Sequence, residues 1–102
     1  MKKYDKLVRD KIPKVIKANG KECEFEIAPK EERYDILVSK LKEEVNEFIE
    51  DKNIEELADV MEVLFGLAEA LGYSEEDLLK ARDKKLDERG GFKDGVVLKS
   101  VR

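Results

Sequence analysis

The chain has 102 residues, 25 acidic and 21 basic, with a formal charge of -4 and 45% of positions charged, against roughly 25% in an average soluble domain. Its length supports one domain over residues 1–102 built on a single core. With no His, Trp, Thr or Gln and one Cys, it excludes a Ser-His-Asp triad, a Cys-His nucleophile, a Cys/His zinc site and the Glu-x-x-His ligands of a di-iron bundle, leaving carboxylate, amine and guanidinium chemistry.

Asp10 reads as the N-cap of a short helix that carries Pro13 in its first turn and closes on Asn19-Gly20. Residues 22–28 alternate polar and apolar before Pro29, which predicts an edge strand with Cys23, Phe25 and Ile27 inward. From Lys30 to about Asp51 no Pro or Gly interrupts a helical repeat of apolar residues. Asn53 caps a second long helix, Ile54 to Leu71, ended by Gly72. Ser74 and Asp77 open a further helix to about Glu88, closed by Gly90-Gly91, and residues 96–101 form a short strand candidate that would pair with 22–28. The fold class expected is all-α: a helical hairpin or four-helix-bundle-type core with short edge strands, completed by oligomerisation.

Lone Cys23 makes no internal disulfide, and no N-terminal apolar stretch resembles a signal peptide or membrane span, so a cytoplasmic protein is expected. Abundant Lys and Glu without Gln is a bias of proteins from hot environments. Interleaved Glu and Asp break any long basic stripe, which argues against a nucleic-acid polymer as partner.

The acids carry the functional signal. At about 100° per residue from Leu37, the side chains of Leu41, Phe48, Tyr34 and Val45 fall between roughly 20° and 80°. Glu44 falls near about -20°, inside that apolar face, and Glu47 flanks it one turn on. On the second long helix the apolar arc covers roughly 220°, as for a helix buried on more than one side. Glu56 projects into this arc beside Val63 and Leu67, and Asp59 sits on its margin next to Gly66. Each helix thus offers carboxylates three residues apart, Glu44 with Glu47 and Glu56 with Asp59, with Glu43 further out. A tight turn through Asp51-Lys52-Asn53 would bring the pairs face to face. Single glutamates on such helices are ordinarily solvated, but converging half-buried carboxylates repel unless protonated or neutralised. Oxygen-only ligation favours a hard dication, Mg²⁺ first and Mn²⁺ second, and requires Glu44 and Asp59 to be near neighbours. The turn lacks the Gly and ligand spacing of an EF-hand.

Glu43-Glu44-x-x-Glu47 followed by Glu56-x-x-Asp59 resembles the all-α nucleoside triphosphate pyrophosphohydrolases, the MazG-like superfamily. Leu7-Val8-Arg9-Asp10-Lys11-Ile12-Pro13 and Glu88-Arg89-Gly90-Gly91-Phe92 resemble its phosphoribosyl-ATP pyrophosphohydrolase-like subgroup, so the similarity spans nearly the whole chain. The resemblance implies that Glu44, Glu47, Glu56 and Asp59 hold Mg²⁺, with Glu43 a further ligand or water-orienting base. It also implies a homodimer or homotetramer. The connection from Glu47 to Glu56 is shorter than in many superfamily members, so a long loop that shapes the base pocket elsewhere is missing.

Hydrolysis between the α and β phosphates of a nucleotide substrate also needs an activated water and cations for the polyphosphate. Glu43 or Glu47 is the candidate base. Lys84, Lys85 and Arg89 late in the last helix and Arg9 and Lys11 near the start are candidate phosphate ligands. Each has an ordinary alternative: Lys84 and Lys85 oppose the helix macrodipole, and Arg9 pairs with Asp10. Gly90-Gly91 is a C-cap and turn or, alternatively, a close backbone approach to phosphate. Phe92 and Tyr4 read as core or interface residues. The competing reading is a non-catalytic helical oligomerisation module whose acids only keep it soluble.

Overall fold

Local signals set the helix boundaries in the structure, a computed structural model that describes residues 6–102. Helix α1 is Ile12–Ala18, α2 is Lys30–Asp51, α3 is Ile54–Ala70 and α4 is Glu75–Arg89. Pro13 lies in the first turn of α1, where a missing N–H leaves no bond unmade. The N-cap is Lys11 rather than Asp10, and no side chain caps the helix. The Ile12 N–H already donates to the Arg9 carbonyl at 3.0 Å, so the chain is turning before it reaches the position at which Asp10 would cap.

Helix α2 runs 22 residues without Gly or Pro, with Glu31 and Glu32 in its first turn facing the positive end of the macrodipole. It stops at Lys52, whose φ of 54° is left-handed and whose N–H donates to the Phe48 carbonyl at 2.8 Å. A side chain other than Gly in that region costs about 1–2 kcal/mol. The next residue offsets part of it, because the Asn53 side chain accepts the Glu56 N–H at 2.9 Å and opens α3 at once. Across the two linker residues α3 folds back along α2 as a helical hairpin. Helix α4 opens with both bonds of a capping box, Asp77 N–H to Ser74 Oγ at 3.0 Å and Ser74 N–H to Asp77 Oδ2 at 2.9 Å. It ends on Gly90, at φ 79°.

The hairpin is where the packing lies. Helix α2 packs along α3, and α4 makes a lesser contact with α3. Val63 and Ala68 are the buried apolar residues among those described, with Leu37, Leu41, Val45 and Phe48 half-buried on the facing helix. Gly66 sets the closeness of approach: a Cβ there would lie 3.0 Å from Leu37 Cδ2. On the outer side of α3, Leu57, Met61 and Leu64 remain exposed at 46%, 55% and 42%, so the wide apolar arc is only partly covered within the chain.

The edge strands are a correction. Among the described residues there is no strand; 22–28 and 96–101 run without a ladder partner. Cys23, Phe25 and Ile27 are exposed rather than inward, as are Val96, Val97, Leu98 and Val101. Alternation specifies two faces of a segment but not a neighbouring backbone, and a strand without one gains no hydrogen bonds. Phe92 is also exposed rather than in the core, and Tyr4 lies outside the described residues. The radius of gyration is 17.7 Å, against about 13 Å for a compact chain of this length. No helix among the described residues is long and apolar enough to cross a membrane.

Candidate metal centre

The hairpin brings the expected acids together. Glu43, Glu44 and Glu47 each present a carboxylate oxygen within 4.8 Å of the others, and so do Glu44, Glu56 and Asp59. Glu44 belongs to both groups. It comes from the late turns of α2, and Glu56 and Asp59 come from the first turns of α3, directly after the Asn53 cap. The closeness required of Glu44 and Asp59 is therefore met.

Burial makes the arrangement costly. Glu44 is 6% exposed, the buried charged residue of the described chain, and its Oε2 has no hydrogen-bond partner. The Oε2 of Glu56 is likewise buried and unpartnered. An unsatisfied buried polar atom costs about 1–3 kcal/mol, more if charged. The neighbouring acids add repulsion: the charge of Glu44, then burial, then the nearby Glu56 and Glu43 push the Glu47 carboxyl above its ordinary range. Burial, followed by the charges of Asp51, Asp59 and Glu44, does the same to Glu56. Neutralisation within the chain comes from nearby basic groups and, as pH falls, from proton uptake.

Three basic side chains share that task. Lys40 Nζ lies 3.1 Å from Glu44 Oε1 and 3.4 Å from Glu43 Oε2, with its side chain only 15% exposed. Burial opposes the Lys40 charge, but the bond to Glu44 and the charges of Glu43 and Glu44 outweigh it, so its pKa is raised. Lys6 Nζ is 3.6 Å from Glu43 Oε1. Arg9 Nη2 donates to Asp59 Oδ1 at 2.5 Å, and that bond chiefly holds its pKa above the ordinary value. Arg9 thus pairs across the fold with Asp59 rather than with adjacent Asp10.

Lys40 and Lys6 were missed in the sequence. Lys40 had a legible signal: from Leu37 it falls at about -60°, between Glu44 and Glu47, and it stands four residues before Glu44. Lys6 had none, since its contact depends on how the N-terminal segment crosses the hairpin.

The other basic candidates lie elsewhere. Lys84, Lys85 and Arg89 line a surface hollow with Ala81 and Glu88 at the end of α4. The ion pair there is internal to the helix, Lys84 to Glu88 at 3.8 Å. Among the described residues no ion pair joins this end of α4 to the acid cluster, and Lys11 makes none with it.

The donor set fits a hard dication. It is all oxygen, it contains a buried carboxylate with an uncommitted oxygen, and it lacks the soft ligands of zinc or copper sites. No family model, curated protein or solved structure matches the chain.

Proposed function

We propose that the chain is a Mg²⁺-dependent nucleoside triphosphate pyrophosphohydrolase of the MazG-like type, cleaving between the α and β phosphates to give a nucleoside monophosphate and pyrophosphate. Mn²⁺ is the substitute metal. The observation that carries this reading is the buried, unpartnered oxygen of Glu44 at the junction of two carboxylate groups on facing helices. A cluster whose purpose was solubility would have its acids in water, where their repulsion is screened.

Glu44, Glu47, Glu56 and Asp59 would hold the ion, which supplies positive charge to the phosphate oxygens and the leaving pyrophosphate. Glu43 or Glu47 accepts the proton of the attacking water. Lys6 and Lys40 both lie against the Glu43 carboxylate in the metal-free chain. Arg9, Lys11, Lys84, Lys85 and Arg89 are the proposed polyphosphate contacts. Phosphoribosyl-ATP and non-standard nucleoside triphosphates are the candidate substrates, in the cytoplasm. The exposed Leu57, Met61 and Leu64 of α3 support association into a homodimer or homotetramer.

Product identity tests the reaction. Incubation of a nucleotide panel with Mg²⁺ or Mn²⁺ should release monophosphate and pyrophosphate from at least one member. Glu44→Gln and Asp59→Asn should each lower turnover at least about a hundredfold with helical content retained. Mg²⁺ should also raise the melting temperature of the wild type and of neither variant. A wild type that neither turns over nor responds to divalent ions favours the oligomerisation module instead.

A further inference from the structure

The segment before α1 lies across the acid cluster and holds both of its helices. Lys6 reaches Glu43 on α2, and three residues later Arg9 reaches Asp59 on α3. Among the described residues, these are the ion pairs between the segment and the hairpin. Their exposure separates them from Lys40. The Lys40 side chain is 15% exposed and fixed one turn from Glu44 on the same helix, whereas those of Lys6 and Arg9 are 50% and 53% exposed on a stretch outside any helix. Lys40 is built-in compensation, and the other two can leave.

Arg9 already claims one oxygen of Asp59, so a dication on the same carboxylate would compete with it through charge. A dication on a carboxylate of this type sits at about 2.0–2.6 Å from its oxygen, and the guanidinium nitrogen already stands 2.5 Å from Oδ1 of the same group. Two positive centres on one carboxylate repel, and the Asp59 side chain, 36% exposed, is only partly screened by water. Glu44, which belongs to both carboxylate groups, keeps one buried oxygen that no hydrogen bond commits.

We infer that Arg9 is the resident cation of Asp59 in the metal-free chain, and that a divalent ion entering at Glu44, Glu56 and Asp59 displaces it and frees residues 6–11 from the mouth of the cluster. The released guanidinium, a planar fork suited to phosphate oxygens, is then available to a polyphosphate arriving at the metal. Metal loading and phosphate capture are thereby ordered, metal first. This rests on the metal centre proposed above and adds an exchange that the centre does not itself require.

The test uses the full chain. Calorimetric titration with Mn²⁺, without nucleotide, compares the wild type with Arg9→Gln, an exposed substitution that leaves the hairpin packing untouched. Brief trypsin digestion with and without Mg²⁺, read by mass spectrometry, follows cleavage after Lys6, Arg9 and Lys11, with cleavage after Lys99 in the tail as internal reference. The exchange predicts about tenfold tighter Mn²⁺ binding by the variant and faster wild-type cleavage at residues 6–11 with Mg²⁺, relative to Lys99. Equal or weaker Mn²⁺ binding by the variant overturns it. Tighter binding with no change in cleavage also overturns it, since repulsion without release has that signature. A wild type that binds no Mn²⁺ removes the metal centre itself, a different result from either.

Discussion

Helix α4 and the α2–α3 hairpin draw on the same acids and bases at the same helical spacings, yet those residues do different things in the two places. Lys84 and Glu88 on α4 are i, i+4 partners 3.8 Å apart with side chains 78% and 52% exposed, and such a pair contributes about 0.3–0.5 kcal/mol. Lys40 and Glu44 on α2 are also i, i+4 partners, but at 3.1 Å with exposures of 15% and 8%. Water screens the first pair and barely reaches the second. Glu44 therefore feels Glu47, Glu56 and Asp59, whereas Glu88 answers only to its local helix. Charge pattern becomes chemistry where a neighbouring helix removes the solvent.

The largest way to sharpen this contrast is Glu47→Gln. The folded chain holds the Glu47 proton to a higher pH than the unfolded chain does, because Glu44 and burial raise its pKa. The folded state thus binds more protons, and this group's contribution to stability falls as pH rises from the ordinary glutamate range through the raised value. At neutral pH the metal-free variant should melt above the wild type. Its advantage should shrink as the pH is lowered through that window, where the wild type carries the proton itself. The variant should lose the Mg²⁺-dependent rise and at least about tenfold in turnover. Thermal melts across pH, with and without Mg²⁺, read all three effects, and a variant less stable than the wild type at neutral pH would show that the cluster is not under repulsive load.

Next in size is Gly66→Val, which probes whether close helix approach holds the acids together. A β-branched side chain placed where even a Cβ would meet Leu37 Cδ2 at 3.0 Å should destabilise the hairpin by about 1–3 kcal/mol. Urea unfolding measures the loss, and Mn²⁺ affinity should weaken with it as α3 shifts from α2. The smallest effect belongs to α4: Lys84→Ala with Lys85→Ala should change stability by less than about 0.5 kcal/mol. The same pair should weaken nucleotide affinity a few-fold while leaving Mn²⁺ affinity unchanged, read by titration of a non-hydrolysable nucleotide.

Much of the fold was legible in the sequence because helix signals are short. The Asn53 cap, the Ser74–Asp77 box and the unbroken stretch from Lys30 to Asp51 each act over four residues or through simple periodicity. The acids intruding on apolar arcs were legible for the same reason, and the two-residue turn made their meeting a matter of geometry. Where the reading failed, the missing information was the partner. Residues 22–28 alternate as a strand does but find no ladder, and the Asp10 position is overtaken by a turn that began at Arg9.

The sequence by itself determined where the helices begin and end, that the two long ones fold back on each other, and that carboxylates point into the seam. Only the tertiary structure decided that Glu44 keeps a buried oxygen without a partner, that Lys40 is enclosed beside it, and that Arg9 bonds to a residue 50 positions away. Caps and periodicity are properties of adjacent residues and survive in any context. Solvent exclusion and long-range ion pairing depend on which surfaces meet, and here that is set by the approach of α2 to α3 at Gly66 and by the path of the segment before α1 across them.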